Sequence, residues 1–175
     1  MKPLVKGVLL AVLQIAIVLS LGGKMLYDRA TRPRVWVKTA PVDPDLPLRG
    51  RYVSLRLEVQ ARNLFDELRK PVPIVTWRWQ EYVTAELRAE NGQLIAVKTE
   101  EGTGVRVLRQ SAQDTSIAAL YERVAFFIPE NIPDPSRRAQ GEELWVEVTV
   151  PKKGPPRPIR LGVKKDGKLT PLEIN

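Results

Sequence analysis

A long uncharged stretch near the start of the chain does more than any other feature to limit what it can become. From Gly7 to Gly23 it reads GVLLAVLQIAIVLSLGG, with only Gln14 and Ser20 polar. As a helix this run measures roughly 25 Å, slightly less than a hydrocarbon core of about 30 Å. Apolar Leu4, Val5, Met25 and Leu26 extend it at both ends, so residues 4–26 are expected to cross a bilayer. Lys6 and Lys24 then fall near the two interfaces, where their stems lie along apolar surface and their ammonium groups reach water. Tyr27 takes the position of an interfacial aromatic. A cleaved signal peptide would also begin with Lys2 and Lys6, but Ser20-Leu21-Gly22 makes a poor small-x-small cleavage site. A buried core helix would carry a polar stripe, and this run is apolar all round. The expectation is an uncleaved anchor: 1–6 a short basic tail, 4–26 the transmembrane helix, 27–33 a juxtamembrane linker and 34–175 a β-rich domain.

Two absences narrow the chemistry. The chain has no cysteine and no histidine. Disulfides, thiolate nucleophiles and sulfur-ligated metal sites are therefore excluded. So are Ser-His-Asp triads, imidazole general bases and histidine metal ligands. An enzyme built on this chain would have to work with carboxylates, lysine, tyrosine or serine, and no metal or cofactor site is expected. The net charge of +8, from 28 Lys and Arg against 20 Asp and Glu, suits nucleic acid, anionic lipid or an acidic partner. Next to an anchor, the lipid surface is the most economical of the three. Nucleic acid is not expected, since no recognisable module is present.

After Arg32-Pro33 the pattern changes to short alternating runs divided by turn residues, which reads as strands. Val35 and Val37 open the first, and the proline-rich stretch 41–50 follows as a connection. Tyr52 to Ala61 alternates strictly: Val53, Leu55, Leu57, Val59 and Ala61 on one face, Tyr52, Ser54, Arg56, Glu58 and Gln60 on the other. One face should be buried and the other wet. Asn63 to Lys70 suits a short helix capped by Asn63. Asn91-Gly92 between Tyr82–Ala89 and Gln93–Thr99 is a strong hairpin signal. Val105–Leu108, the apolar run Ile117–Ile128, Leu144–Val150 and a final hairpin about Asp166-Gly167 supply the rest, with one helical turn over Asp134–Gln140. The fold class is mainly β, a small barrel or sandwich of about seven to nine short strands, preceded by one N-terminal transmembrane helix.

The segment PVDPDLPLRGRYVSLRLEV (41–59) resembles the signature of the GDYXXLXY family of membrane-anchored proteins. Gly50, Tyr52 and Leu55 fall on the named positions, with Asp43 and Arg49 in the approach to them. Arg51 and Leu57 depart, standing where the family has aspartate and its second tyrosine. Tyr121, Phe126-Phe127-Ile128 and Pro129-Glu130 resemble the family's second block, and Lys165-Asp166-Gly167 its closing hairpin. The resemblance implies a single-pass protein with the bulk of the chain on the extracytoplasmic side, and implies no particular activity. Lys24, Arg29, Arg32 and Arg34, just after the helix, argue for the opposite orientation by the positive-inside rule, which weakens for long translocated domains. Physically the motif needs only a structural reading. Gly50 closes a turn, Tyr52 starts a strand with a ring to pack and Leu55 points to the core.

Candidate chemistry is sparse. Leu48-Arg49-Gly50-Arg51-Tyr52-Val53 is similar to a strand of membrane-anchored signal peptidases, which use a serine nucleophile and a desolvated lysine base. Ser20, Ser54, Ser111, Ser116 and Ser136 carry none of that family's surrounding motif. The pairs Glu100-Glu101 and Glu142-Glu143 read as solvated charges beside glycine turns. Trp77, Trp79 and Tyr82 could present an aromatic face to a sugar, a headgroup or a peptide. Lys152, Lys153 and Arg157, with Lys164 and Lys165, could meet anionic headgroups. These features favour a non-enzymatic accessory domain, with the bilayer as partner through residues 4–26 and a polytopic membrane protein as a further partner. The alternative is an anchored Ser/Lys or carboxylate hydrolase.

Overall fold

The computed structural model describes residues 3–42, 52–65, 82–99, 104–110 and 114–174. The chain divides into two compact units, Met1–Arg32 and Pro33–Asn175. The expectations for 43–50, 66–70, Trp77, Trp79, Glu100-Glu101 and Ser111 lie outside the described residues.

The first unit is one helix, α1 (Pro3–Thr31), of which Val5–Thr31 is long and apolar enough to cross a membrane. Proline at its first position costs nothing, because that N–H has no partner within a helix. At about 44 Å for its 29 residues it is longer than a hydrocarbon core, and it outruns the end expected at Leu26. The helix thus runs through most of the stretch expected as the juxtamembrane linker, Tyr27–Thr31. What ends the helix is Pro33, which disfavours helical geometry at Arg32. The Arg32 guanidinium reaches back to the Asp28 carboxylate at 3.2 Å and supports the last turn. Val8, Leu9, Ile17, Val18, Leu19 and Leu26 stand exposed along it.

The second unit holds ten strands among the described residues: β1 (Arg34–Val42), β2 (Tyr52–Arg62), β3 (Tyr82–Glu90), β4 (Gln93–Lys98), β5 (Val105–Arg109), β6 (Ile117–Leu120), β7 (Val124–Phe127), β8 (Glu142–Thr149), β9 (Arg157–Lys165) and β10 (Lys168–Pro171). The tenth arises because the apolar run Ile117–Ile128 is not continuous. It breaks at Tyr121-Glu122-Arg123: the Tyr121 N–H still continues the β5 ladder, donating to the Arg106 carbonyl at 2.9 Å, but the run rejoins β2 in a shifted register, with Ala119 opposite Glu58 before the break and Val124 opposite Leu55 after it.

Strand β2 organises everything else. Its first half pairs with β1 on one edge and β7 on the other: Leu55 faces Pro41 and Val124. Its second half pairs with β4, in parallel, and with β6: Gln60 faces Ile95 and Ile117. The circuit β2-β4-β3-β5-β6 returns to β2 and closes a five-stranded barrel, while β10-β9-β8-β1-β2 continues as an open sheet. A barrel of five strands is narrow, and Ala85, Ala96 and Ala118 have no exposed surface there alongside Leu57 and Val107. Val35, Val37, Val146, Val148 and Leu161 line the inner face of the open sheet within the same apolar cluster.

The β2 alternation holds as expected, with Val53, Leu55, Leu57 and Val59 buried, and Ser54 buried as well. The Asn91-Gly92 turn has both residues at positive φ, 51° and 75°, as a two-residue hairpin with the strands' own twist requires. Asp166-Gly167 repeats the pattern at 49° and 80°. Two expected helices differ. Asn63 has φ 54°, and Leu64 and Phe65 follow it as a bend with both side chains buried, so 63–65 plug the core instead of starting a helix. At Asp134 the carboxylate accepts the Ser136 N–H and the carbonyl accepts the Arg137 N–H, an Asx-type turn without further helix.

Candidate functional site

Because β2 is longer than either sheet is deep, its neighbours along one edge must change partway. Strand β1 pairs through Leu57, and β4 takes over from Gln60. Where the two diverge, the outer surface opens into a cleft of about 170 Å³ lined by Trp36, Lys38, Glu58, Gln60, Gln93 and Trp145, floored by Val37, Val59, Leu94 and Ile117.

Both tryptophans are placed by period-2 alternation. In Arg34-Val35-Trp36-Val37-Lys38 the valines are buried, so Trp36 and Lys38 face outward. In Leu144-Trp145-Val146 the flanking residues are buried and Trp145 faces the same way, with Lys38 directly opposite it on β1. Each indole is held. Trp36 lies over Gly162, where an added Cβ would stand 2.8 Å from its Cζ3. The Arg160 guanidinium is 5.4 Å from the Trp36 ring centre and is itself fixed by Glu147 at 2.7 Å. The Trp145 N–H donates to Glu143 Oε2 at 3.1 Å, Glu143 Oε1 accepts from Lys38 Nζ at 2.6 Å, and Lys164 Nζ stands 4.6 Å over the Trp145 ring.

These bonds tune the charges. The hydrogen bond from Lys38, then that from the Trp145 indole, holds the Glu143 carboxyl below its ordinary value of 4.5. The same bond to Glu143 raises Lys38 above 10.5, against some loss of hydration, with Glu58 adding to the pull. Glu143 thus contributes stability that is present above 4.5 and lost as pH falls through its lowered value. Lys38 contributes stability that is full below 10.5 and lost as pH rises through its raised value. Both side chains are about two-fifths exposed, so the pair stabilises by less than about 1 kcal/mol. Its larger effect is to orient Trp145. The indole N–H resonance of Trp145 is expected to shift in a single acid step below pH 4.5, and Glu143→Gln is expected to abolish that step. A shift that persists in the variant would contradict that assignment.

The residues singled out from the sequence are dispersed. Asp43, Arg49, Gly50, Trp77 and Trp79 lie outside the described residues. Tyr52 begins β2 and packs on Phe127 with ring centres 6.1 Å apart, while Leu55 is fully buried, so these two motif positions serve the fold. Tyr82 sits elsewhere, on β3, in a cluster with Tyr121 and an Arg106 guanidinium 4.1 Å over the Tyr121 ring. The basic residues separate. Lys152 and Lys153 occupy the β8–β9 connection and Arg157 opens β9, while Lys164 and Lys165 stand at the far end of β9, roughly 25 Å from Arg157 along the strand. Lys165 pairs with Glu142 at 3.4 Å. Glu142 and Glu143 are therefore engaged rather than merely solvated. Among the serines, Ser20 donates to the Ile17 carbonyl within α1, and Ser116 donates to Asp114. Neither bond is to a lysine.

Sequence reasoning overlooked Trp36 and Lys38 and gave Trp145 no role. The available signal was a large aromatic at the outward position of a strand whose alternate residues are branched and apolar. Gly162 was overlooked too, and nothing in the sequence places it beneath an indole on a strand more than a hundred residues earlier.

No curated protein and no solved structure matches the chain. A family model described as GDYXXLXY protein matches residues 14–161, a span that takes in the second half of α1 and all strands from β1 to β8. By that coverage, the chain belongs to the GDYXXLXY family.

Proposed function

We propose that this chain is a membrane-tethered accessory domain without enzymatic activity. Residues 4–26 hold it in the cell membrane as a single-pass anchor, with the bulk of the chain on the extracytoplasmic side. There it acts on a polytopic membrane protein or on the lipid surface. One observation carries the surface role. The Val150 N–H donates to the Pro33 carbonyl at 3.0 Å, so the β8–β9 connection lies where the chain enters the β unit. That connection bears Lys152 and Lys153 and leads into Arg157 at the start of β9, all exposed. Arg32 alone separates Pro33 from the end of the helix, so this basic corner lies close in the chain to the anchor. Each cation so held is worth about 1 kcal/mol against an anionic surface. The side of the membrane rests on the family's single-pass, extracytoplasmic character.

The 33–175 fragment is expected to bind phosphatidylglycerol vesicles and not phosphatidylcholine vesicles. The combined Lys152→Gln, Lys153→Gln and Arg157→Gln variant should weaken binding roughly a hundredfold. Crosslinking in intact membranes should recover a reproducible integral-membrane partner. No vesicle binding together with no partner would overturn the reading. Protease treatment of spheroplasts should degrade the domain, and protection there would reverse the assigned side.

A further inference from the structure

We propose that α1 pairs with α1 of a second copy of this chain, parallel and in register, with the two Gln14 amides hydrogen-bonded to each other at the middle of the bilayer. This pairing presupposes that residues 4–26 are an uncleaved membrane anchor. Gln14 lies one residue from the midpoint of that stretch. The nearest headgroups are then roughly 15 Å away along the helix, far beyond the reach of a glutamine side chain. A primary amide carries two N–H donors and a carbonyl acceptor, and hydrocarbon offers partners to neither. Other polar side chains of α1 are satisfied by their own helix: Ser20 donates to the Ile17 carbonyl and Thr31 to the Tyr27 carbonyl, both at 2.8 Å. Gln14 makes no such bond among the described residues. The apolar window of α1 is wholly exposed, so its own chain supplies no substitute.

The surface beside Gln14 is shaped for close approach. Gln14, Ile15, Val18 and Leu19 border a groove of about 230 Å³. At roughly 100° per residue, Gly7, Ala11 and Gly22 fall on the same side of the helix as this groove. An added Cβ at Gly7 or Gly22 would meet nothing within 4 Å, so neither glycine serves packing within its own chain. Small residues along one side let two helix backbones come near enough for hydrogen bonds between them. The flanking charges are kept off this side. Lys6 and Lys24 are eighteen residues apart. That is about five turns, so they stand together, roughly 140° round the helix from the groove. Two copies can meet along the groove with their lysines turned outward to the headgroups.

A second copy is the occupant these features fit. Chains inserted in the same direction carry Gln14 at the same depth, so donor meets acceptor with no further match required. The amide is self-complementary about a two-fold axis, each N–H donating to the other carbonyl. A helix of a different protein would need its own polar group at that depth and on that side.

The test uses the full chain, extracted from carbonate-washed membranes into density-matched neutral micelles and followed by sedimentation equilibrium over a range of protein-to-detergent ratios. A reversible monomer–dimer equilibrium is expected. Gln14→Leu should raise its dissociation constant about 3- to 30-fold, and Gln14→Asn, which keeps the amide, by less. Ala11→Leu should weaken the dimer about tenfold. Ala16→Leu, the same change roughly 140° away from the groove, should leave it unaltered. Neither alanine variant touches the β unit or lessens the apolarity of the anchor, so their difference reports on the helix face alone. Release of the chain by carbonate would refute the anchor and the pairing with it. A chain that stays in the membrane yet sediments as a monomer at every ratio would refute the pairing alone. A dimer unmoved by Gln14→Leu, or weakened equally by Ala11→Leu and Ala16→Leu, would overturn it as well.

Discussion

Truncating Leu55 to alanine is expected to lower the unfolding free energy of the β unit by about 3 kcal/mol. Leu55 has no exposed surface and sits on the strand that, among the described residues, barrel and open sheet share. Its backbone is flanked on both edges, by Pro41 of β1 and Val124 of β7. Neither neighbour can slide inward without breaking ladder hydrogen bonds, so the space left by the removed carbons persists as a cavity. That places the cost in the middle of the range for buried leucines. Urea unfolding of the full chain in lipid discs, followed by far-UV circular dichroism, measures it as a fall in midpoint at unchanged slope. Tyr52→Phe, which keeps the ring against Phe127, should cost under about 1 kcal/mol. A Leu55→Ala loss below that of Tyr52→Phe would contradict the reading of Leu55 as a core residue.

Gly104→Ala is expected to cost about 2–3 kcal/mol. An added Cβ would stand 2.5 Å from the carbonyl oxygen of Ala85 and 2.7 Å from Thr84 Cγ2. The obstacle is backbone, on the strand to which the following residue pairs, since Val105 faces Ala85. Relief requires β5 to draw back from β3 at the barrel seam. At about 2–4 °C per kcal/mol for a chain of this size, the midpoint of thermal unfolding should fall by roughly 5–10 °C. Gly162→Ala makes the informative contrast. There the nearest atoms belong to the Trp36 indole, a ring that can swing aside. Its effect should appear chiefly in Trp36 fluorescence, with the smaller loss of stability. Equal costs at the two glycines would show that the indole is as immovable as a strand.

What could be read from the chain alone divides along physical lines. The strands with one wet face were legible, because period-2 alternation in Tyr52–Arg62 and the Asn-Gly and Asp-Gly turns are local signals. The end of the helix was misplaced. The eye stops at Lys24 and Tyr27, while the backbone continues until a proline forbids it. The break in Ile117–Ile128 was hidden for a different reason: composition cannot show that the run changes its register against β2 after Leu120. The cleft was invisible on the same principle. Trp36, Gln60, Gln93 and Trp145 come from four strands, and only the switch of partners along β2 brings them together. Tyr82 was noticed for its aromaticity, but its companions are Arg106 and Tyr121.

The pairing of β1 has a consequence for biosynthesis. This strand leaves the ribosome immediately after the helix, yet one of its two partners, β8, arrives very late: Lys38 and Glu143 are 105 residues apart. At about 5–20 residues per second, β1 waits on the order of ten seconds with a row of unpaired amides and carbonyls exposed. Arg34 and Lys38, charged residues on that waiting strand, are the kind that discourages pairing with a neighbouring chain. The first strand of the domain to be made is thus among the later ones to be completed.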